Sequence, residues 1–455
     1  MADTLIRGGT VVSATGSTRA DVAVTQGRVS AIGPGLEAPG ADVVDATGLL
    51  VLPGVVDVHT HTRLSSGEQP DRFLRDSLAA AHGGTTTFLA FNNPGTGISE
   101  AGARSPLAGA AEFRERTAGQ SVVDFGLSSV IGGHQDDPLR ELPALVASGV
   151  PTAKAFMVYD FRLGDEALEG ALRIMARAGG MLQVHCEEPA IIDPLVEAAL
   201  ARGDVGCRHH ALTRPPVAET AATRKAIEMA RRAQAPLYIV HLSCLGALEA
   251  VAEAKARGEP VFAETCPHYL VSTDALYDDP DEANVIQRVI SPPLRSQADV
   301  DALWAGLRDG ILDIVASDHV PDRLAVEKHL PAPPFPQVSN GGPGIETLLS
   351  VTWSAGVGEG RLTVERLVDV LATAPARLFG LAGKGAVEVG LDADLVLIDP
   401  NAQRTLRQAD LHHTSDYTPF EGLELRGALA EVFVRGHRLA EAAAHPSGHF
   451  LERRL

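Results

Sequence analysis

The sequence predicts an α/β chain, a (β/α)8 barrel of the TIM type carrying a small β-sandwich domain built from both chain termini. Three observations predict it. Eight short apolar runs alternate with Ala-rich and Leu-rich helical stretches through the middle of the chain, and glycine-punctuated strand text both opens and closes it. The length of 455 residues also exceeds any single small module, unless a large barrel absorbs most of it.

Taken in order, residues 1–52 hold TLIRGGTVV and DVAVTQGRVSAIG, short alternating segments that read as hairpins of the N-terminal part of a β domain. Residues 53–384 are expected to form the barrel. Its eight runs are VLPGVVDVH (51–59), TTTFLAF (85–91), VVDFGLSS (122–129), AKAFMVY (153–159), MLQVHC (181–186), PLYIVHLS (236–243), VFAETCPH (261–268) and ILDIVASDH (311–319). Eight is the number a barrel requires, although periodicity alone leaves a doubly wound sheet open. The Pro-rich and Gly-rich stretch from Val320 to Gly344 reads as an active-site loop, because connections of that length are usually functional or disordered. Residues 385–455, with GAVEVGLDADLVLIDP and ALAEVFVRGHRLAE, read as the C-terminal part of the β domain and a tail.

Composition narrows the function classes. A hydrophobic share of 45% with 21% charged residues describes a chain able to bury a large core, which excludes disorder as its main character. The 39 Lys and Arg against 58 Asp and Glu leave a net charge of −19, which repels nucleic acid phosphates and anionic membranes. The four cysteines, Cys186, Cys207, Cys244 and Cys266, are sparse and fit reduced thiols in the cytoplasm. The opening MADTLIRGGTVV has no signal-peptide pattern, and no apolar run reaches the ~18 residues of a spanning helix.

Barrel active sites lie at the C-terminal ends of the strands, so the polar residues there carry the most information. His59 and His61 end the first run, Lys154 lies in the fourth, and His185, His241 and Asp318 fall near the ends of the fifth, sixth and eighth. His59-Thr60-His61 has the two-residue spacing that places both imidazoles on one face of an extended strand, within reach of one ion. A hydrogen-bonded histidine pair is the bland alternative. Isolated, His185 and His241 would be ordinary core or rim histidines, yet each follows an apolar run in the same relative place. Asp318 could cap a following helix, but among four histidines it fits better as a metal ligand that also accepts a proton. Lys154 is the odd member: a buried ammonium beside divalent ions would be repelled, so it requires neutralisation or chemical conversion.

At this point the motifs PGVVDVHTH, GGTT, TAKAFMVY, LQVHCE, YIVHLS, AETCPHYL, SPPLR and SDH, with the closing GLDADLVLIDP and SDYTPFEG, resemble the cyclic amidohydrolases of the dihydropyrimidinase and hydantoinase group. The resemblance covers nearly the whole chain. It implies two divalent metal ions, most often zinc, and a Lys154 carboxylated by carbon dioxide to a carbamate that bridges them. His59, His61 and Asp318 would hold one ion, and His185 and His241 the other. A hydroxide bridging the ions would be the nucleophile, with Asp318 as proton shuttle. Two divalent ions set against carbamate, carboxylate and hydroxide leave one residual positive charge, suited to an amide oxygen developing negative charge. Tyr159, Ser291 and Asn340 match the group's ring-binding positions; without the resemblance they read as a packed tyrosine and two turn residues.

The implied reaction opens a dihydropyrimidine or 5-substituted hydantoin to an N-carbamoyl amino acid, in a homodimer or homotetramer. SDHVP (317–321) is nearer the allantoinase and dihydroorotase form, AETCPHYL is shared with allantoinases, and HCEE (185–188) and SNGG (339–342) depart from the usual dihydropyrimidinase text, whereas Tyr159 and NGGPGIE favour the hydantoinase side. Non-catalytic interaction proteins share the fold but lack metal ligands, and all six ligand positions are present here. His82, His134, His268, His319 and His329 are expected behind the site or at the surface, and Cys186, Cys244 and Cys266 in the core or behind the site.

Overall fold

The computed structural model describes residues 3–331 and 333–455; Met1, Ala2 and Ala332, which fall within the first β segment and the 320–344 loop, lie outside the described residues. The chain begins with strands β1 (Thr4–Ser13), β2 (Gly16–Thr25), β3 (Arg28–Gly33), β4 (Asp42–Asp45) and β5 (Leu50–Pro53). There follow β6 (Val55–Thr60), β7 (Thr85–Phe91), β8 (Asp124–Val130), β9 (Thr152–Phe156), β10 (Met181–His185), β11 (Leu237–Ile239), β12 (Val261–Thr265) and β13 (Ile314–Val315). The chain ends through β14 (Leu395–Thr405), β15 (Glu424–Val434) and β16 (His437–Arg438).

Strands β6 to β13 pair in sequence order, all parallel, with helices between them. The seam closes where Thr60 bridges His319 and the His61 amide donates to the His319 carbonyl at 2.7 Å. This is the expected barrel, and each of the eight apolar runs supplies one barrel strand. The intervening helices follow from their sequences. In Asp165–Ala178, Leu168, Ala171, Leu172 and Met175 form the buried stripe at helical spacing, Asp165 and Glu166 sit in the first turn, Arg177 in the last, and Gly179 stops the helix at a φ of 78°.

Both termini build the second sheet, in the order β16-β15-β14-β5-β1-β2-β3 with β4 on β1, and the pairing is antiparallel apart from β1 with β4 and β5. Its apolar faces form a core of their own, with Ile6, Val22, Val51, Leu395 and Phe433 among the fully buried members. One expectation needs correction. The run over 51–59 is not a single strand, because β5 belongs to the terminal sheet and only β6 to the barrel. Pro53 has no amide hydrogen to extend a ladder, and any side chain on Gly54 would strike Thr86, whose Oγ1 lies 2.1 Å from that position.

The two sheets are bound by charge and by the tail. Lys384 Nζ donates to Asp124 at the start of β8 and to Asp394 just before β14, each at 2.6 Å, so this acidic cluster already holds its cation. The tail then crosses the barrel floor: the His449 carbonyl accepts from the Phe125 amide at 3.0 Å, and the buried Arg453 donates to the Phe379 carbonyl at 3.1 Å. Among the described residues no helix is long and apolar enough to cross a membrane.

Candidate metal centre and ring-binding cavity

His61, Lys154, Tyr159, His185, His241, Ser291, Asp318 and Asn340 all line one cavity of about 330 Å³ at the C-terminal ends of the barrel strands. His59 lies directly behind them, with no exposed surface. The structure therefore brings together every residue offered from the sequence as a metal ligand or ring-binding position. A larger cavity of about 560 Å³, lined by Arg208, Leu212, Tyr277 and Arg295, contains none of them.

Hydrogen bonding fixes where the lone pairs point. His59 Nδ1 faces the Glu264 carboxylate, which can only accept, so Nδ1 carries a hydrogen and Nε2 is the nitrogen turned into the site. That nitrogen sits 2.9 Å from Asp318 Oδ1. His61 Nδ1 likewise donates to Asn93 Oδ1 at 2.9 Å, which turns its Nε2 toward the same Asp318 oxygen at 3.3 Å. His185 donates from Nε2 to Glu187 at 2.7 Å, which leaves Nδ1 as its lone-pair nitrogen, and the buried His241 Nδ1 has no partner among the described residues. Ligand atoms of His59, His241 and Asp318 lie within 4.8 Å of one another. Imidazole nitrogens and a carboxylate oxygen converging on one point form a donor set that fits divalent cations.

Lys154 stands at the centre on β9, fully buried, with Nζ 3.3 Å from His59 Nε2 and over the rings of Phe91 and Phe156 at 4.6 and 5.1 Å. No carboxylate pairs with it among the described residues. Burial pushes its amine down to about 8, against the pull of Asp318 and Glu264. Burial alone would raise the Asp318 carboxyl, but the charge of His59 and the hydrogen bonds of His59 and His61 outweigh it and hold it well below the usual carboxylate range. Burial also keeps His185 and His241 low, hence neutral and fit to ligate.

Backbone strain marks the same place. Only seven non-glycine residues among those described have positive φ, and three belong to this site: Tyr159 at 76°, His241 at 38° and Asp318 at 48°. Such conformations cost ~1–3 kcal/mol each and persist where surrounding structure imposes them, commonly at functional sites. No helix begins after Asp318, so the capping alternative has nothing to cap.

The remaining candidates form the outer wall. Asn340 Nδ2 donates to the Tyr159 hydroxyl at 3.5 Å, and Ser291 Oγ lies 3.2 Å from His210 Nε2. Val320, Val338 and Ser339 place the Pro-rich loop in the same wall. Sequence reasoning gave no role to Glu264, Asn93 or Glu187, which orient His59, His61 and His185, nor to Arg214, which pairs with Glu187 and lies 5.3 Å from the Tyr159 ring centre. The only signal was that Glu264 and Glu187 sit inside motifs already noted. All four cysteines are free and buried, and none enters the donor set.

A parallel barrel with imidazole nitrogens, a carboxylate and a buried lysine converging at its C-terminal rim defines a metal-dependent hydrolase class. The pattern of the amidohydrolase family matches residues 50–439, and the chain belongs to that family. It is 38% identical over 440 residues to a D-hydantoinase of Geobacillus stearothermophilus, covering 95% of this chain and 92% of the other. A D-hydantoinase of Ralstonia pickettii is 36% identical with 99% of both chains covered. The crystal structure of dihydropyrimidinase from Brevibacillus agri NCHU1002 superposes with a TM-score of 0.93 at 38% identity, covering 99% of this chain and 98% of that one.

Proposed function

We propose that the chain hydrolyses a cyclic amide or imide ring, a dihydropyrimidine or 5-substituted hydantoin, to an N-carbamoyl amino acid. The observation that carries this reading is the convergence of Asp318 with the Nε2 atoms of His59 and His61 beside buried Lys154, on a cavity walled by Tyr159, Ser291 and Asn340. The names of the similar proteins support it. His59, His61 and Asp318 would hold one divalent ion, His185 and His241 a second, and Lys154, as a carbamate, both. The nitrogen and oxygen donors suit zinc. Bound there, the ions would supply a water that ionises near neutral pH and a Lewis-acid pull on the scissile carbonyl.

The chain's own groups do the rest. Asp318, kept ionised by its histidine neighbours, accepts the proton of the attacking water and delivers it to the leaving ring nitrogen. Tyr159, kept protonated by burial against the opposing pull of Arg214, donates to the carbonyl oxygen as it gains charge. Main-chain groups at Ser291 and Asn340 read the alternating acceptors and donor of the ring edge. Glu264, Asn93 and Glu187 hold the imidazoles in the tautomers this requires. In this reading the enzyme is a cytoplasmic homodimer or homotetramer acting on a small molecule, with neither nucleic acid nor membrane as partner.

Ring-opening rates of the metal-loaded protein on dihydrouracil, 5-substituted hydantoins, allantoin and dihydroorotate test the reading. The highest kcat/KM is expected on one of the first two classes. Allantoin as best substrate would establish the alternative that SDHVP suggests, and inactivity on all four with metal bound would overturn the enzymatic reading.

Tyr159→Phe keeps the ring and deletes one hydroxyl. Turnover is expected to fall ~100- to 1,000-fold with little change in melting temperature, as for loss of an oxyanion donor. Turnover within about threefold of the parent would remove Tyr159 from the catalytic set.

A further inference from the structure

We infer that Lys328 is a positioning residue for ring recognition: its buried ammonium ties together the two chain segments that carry Ser291 and Asn340. The inference deepens the function proposed above and rests on it. Lys328 lies in the Pro-rich loop and has no exposed surface, a condition lysine rarely adopts unless paired. Among the described residues it forms no ion pair, and the carboxylate of nearby Asp322 is engaged by Arg63. Its Nζ instead donates to two main-chain carbonyls, Val289 at 2.9 Å and Ser339 at 2.7 Å.

Those carbonyls are placed to matter. Val289 stands two residues before Ser291, and Ser339 immediately precedes Asn340. The Val289 carbonyl also accepts from the Gly341 amide at 3.0 Å, so the two segments meet at one oxygen, with Lys328 bonded to both. The Tyr417 hydroxyl secures the far side through the Gly341 carbonyl at 3.3 Å. A flat ring read from two sides by main-chain groups is bound well only if the spacing between those groups is fixed. Charge-assisted donation from a buried ammonium sets that spacing more firmly than apolar packing could. A methionine or leucine would fill the same volume without burying a charge, so packing alone gives no reason for a lysine here.

The test is steady-state kinetics of metal-loaded, full-length Lys328→Met on the best ring substrate, with metal content and melting temperature measured alongside. The expected result is a KM raised about tenfold or more, kcat within about threefold of the parent and unchanged metal content, because recognition is loosened while the chemistry stays assembled. Lys328→Arg, which keeps a cationic donor, should recover part of the loss in KM. A KM within about twofold of the parent, whatever the change in melting temperature, would reduce Lys328 to a stability role, and so would a fall in kcat as large as the rise in KM. If Lys328→Met does not fold, Lys328→Gln is judged by the same criteria, and failure of both to fold would overturn the inference. A parent protein that opens no ring would instead defeat the functional reading, a result distinct from an active parent whose KM ignores Lys328.

Discussion

Lys154→Ala is expected to lose metal and turnover together, with activity falling to background and both partly restored by a short carboxylic acid added to the variant. Lys154 is fully buried between aromatic rings, with an imidazole nitrogen 3.3 Å from its amine. As an ammonium it would set a cation against the very ions its neighbours are arranged to hold. As a carbamate it would become an anion with two oxygens, one for the His59, His61 and Asp318 group and one for the His185 and His241 group proposed above. Alanine removes those oxygens and leaves a hole into which acetate or propionate fits, hence the expected rescue. Full metal content and normal turnover in the variant would contradict the bridge.

Asp318→Asn should lower turnover per bound metal by ~100- to 10,000-fold, the span typical of losing a positioned general acid–base group. Asparagine keeps the shape and one ligand oxygen but cannot take the proton from water. Since no helix starts at residue 319, the substitution has no capping role to disturb, and melting temperature is expected to move little beyond what altered metal content explains. Turnover near the parent's at equal metal occupancy would assign proton transfer to another group.

The sequence carries the barrel because its strands are buried on both faces and so read as short unbroken apolar runs rather than alternating ones. It carries His59, His61, Lys154, His185, His241 and Asp318 because each interrupts or ends such a run with a side chain that has no reason to be apolar. It conceals the change of sheet at Pro53 and Gly54, since β5 and β6 are equally apolar and only their partners differ. It conceals Glu264 as the partner of His59, because 205 residues separate them and β12 comes near β6, with only β13 between, once the barrel closes. The same holds for Lys328: a lysine in a Pro-rich loop reads as solvated until the fold wraps Val289 and Ser339 around it. Local pattern reveals which residues are out of place, whereas pairing across the barrel decides which of them meet.

The central claim is that Lys154, as a carbamate, joins two metal ions in the working site. The direct measurement strips the protein of metal, then reloads it with zinc in the presence or absence of isotopically labelled bicarbonate, following the labelled carbon by NMR, bound metal and ring-opening rate together. The account predicts that a carbamate signal, two bound ions per chain and activity rise in step, all three depending on bicarbonate and all three absent in Lys154→Ala. Full activity restored by zinc alone, with no carbamate signal, would contradict it.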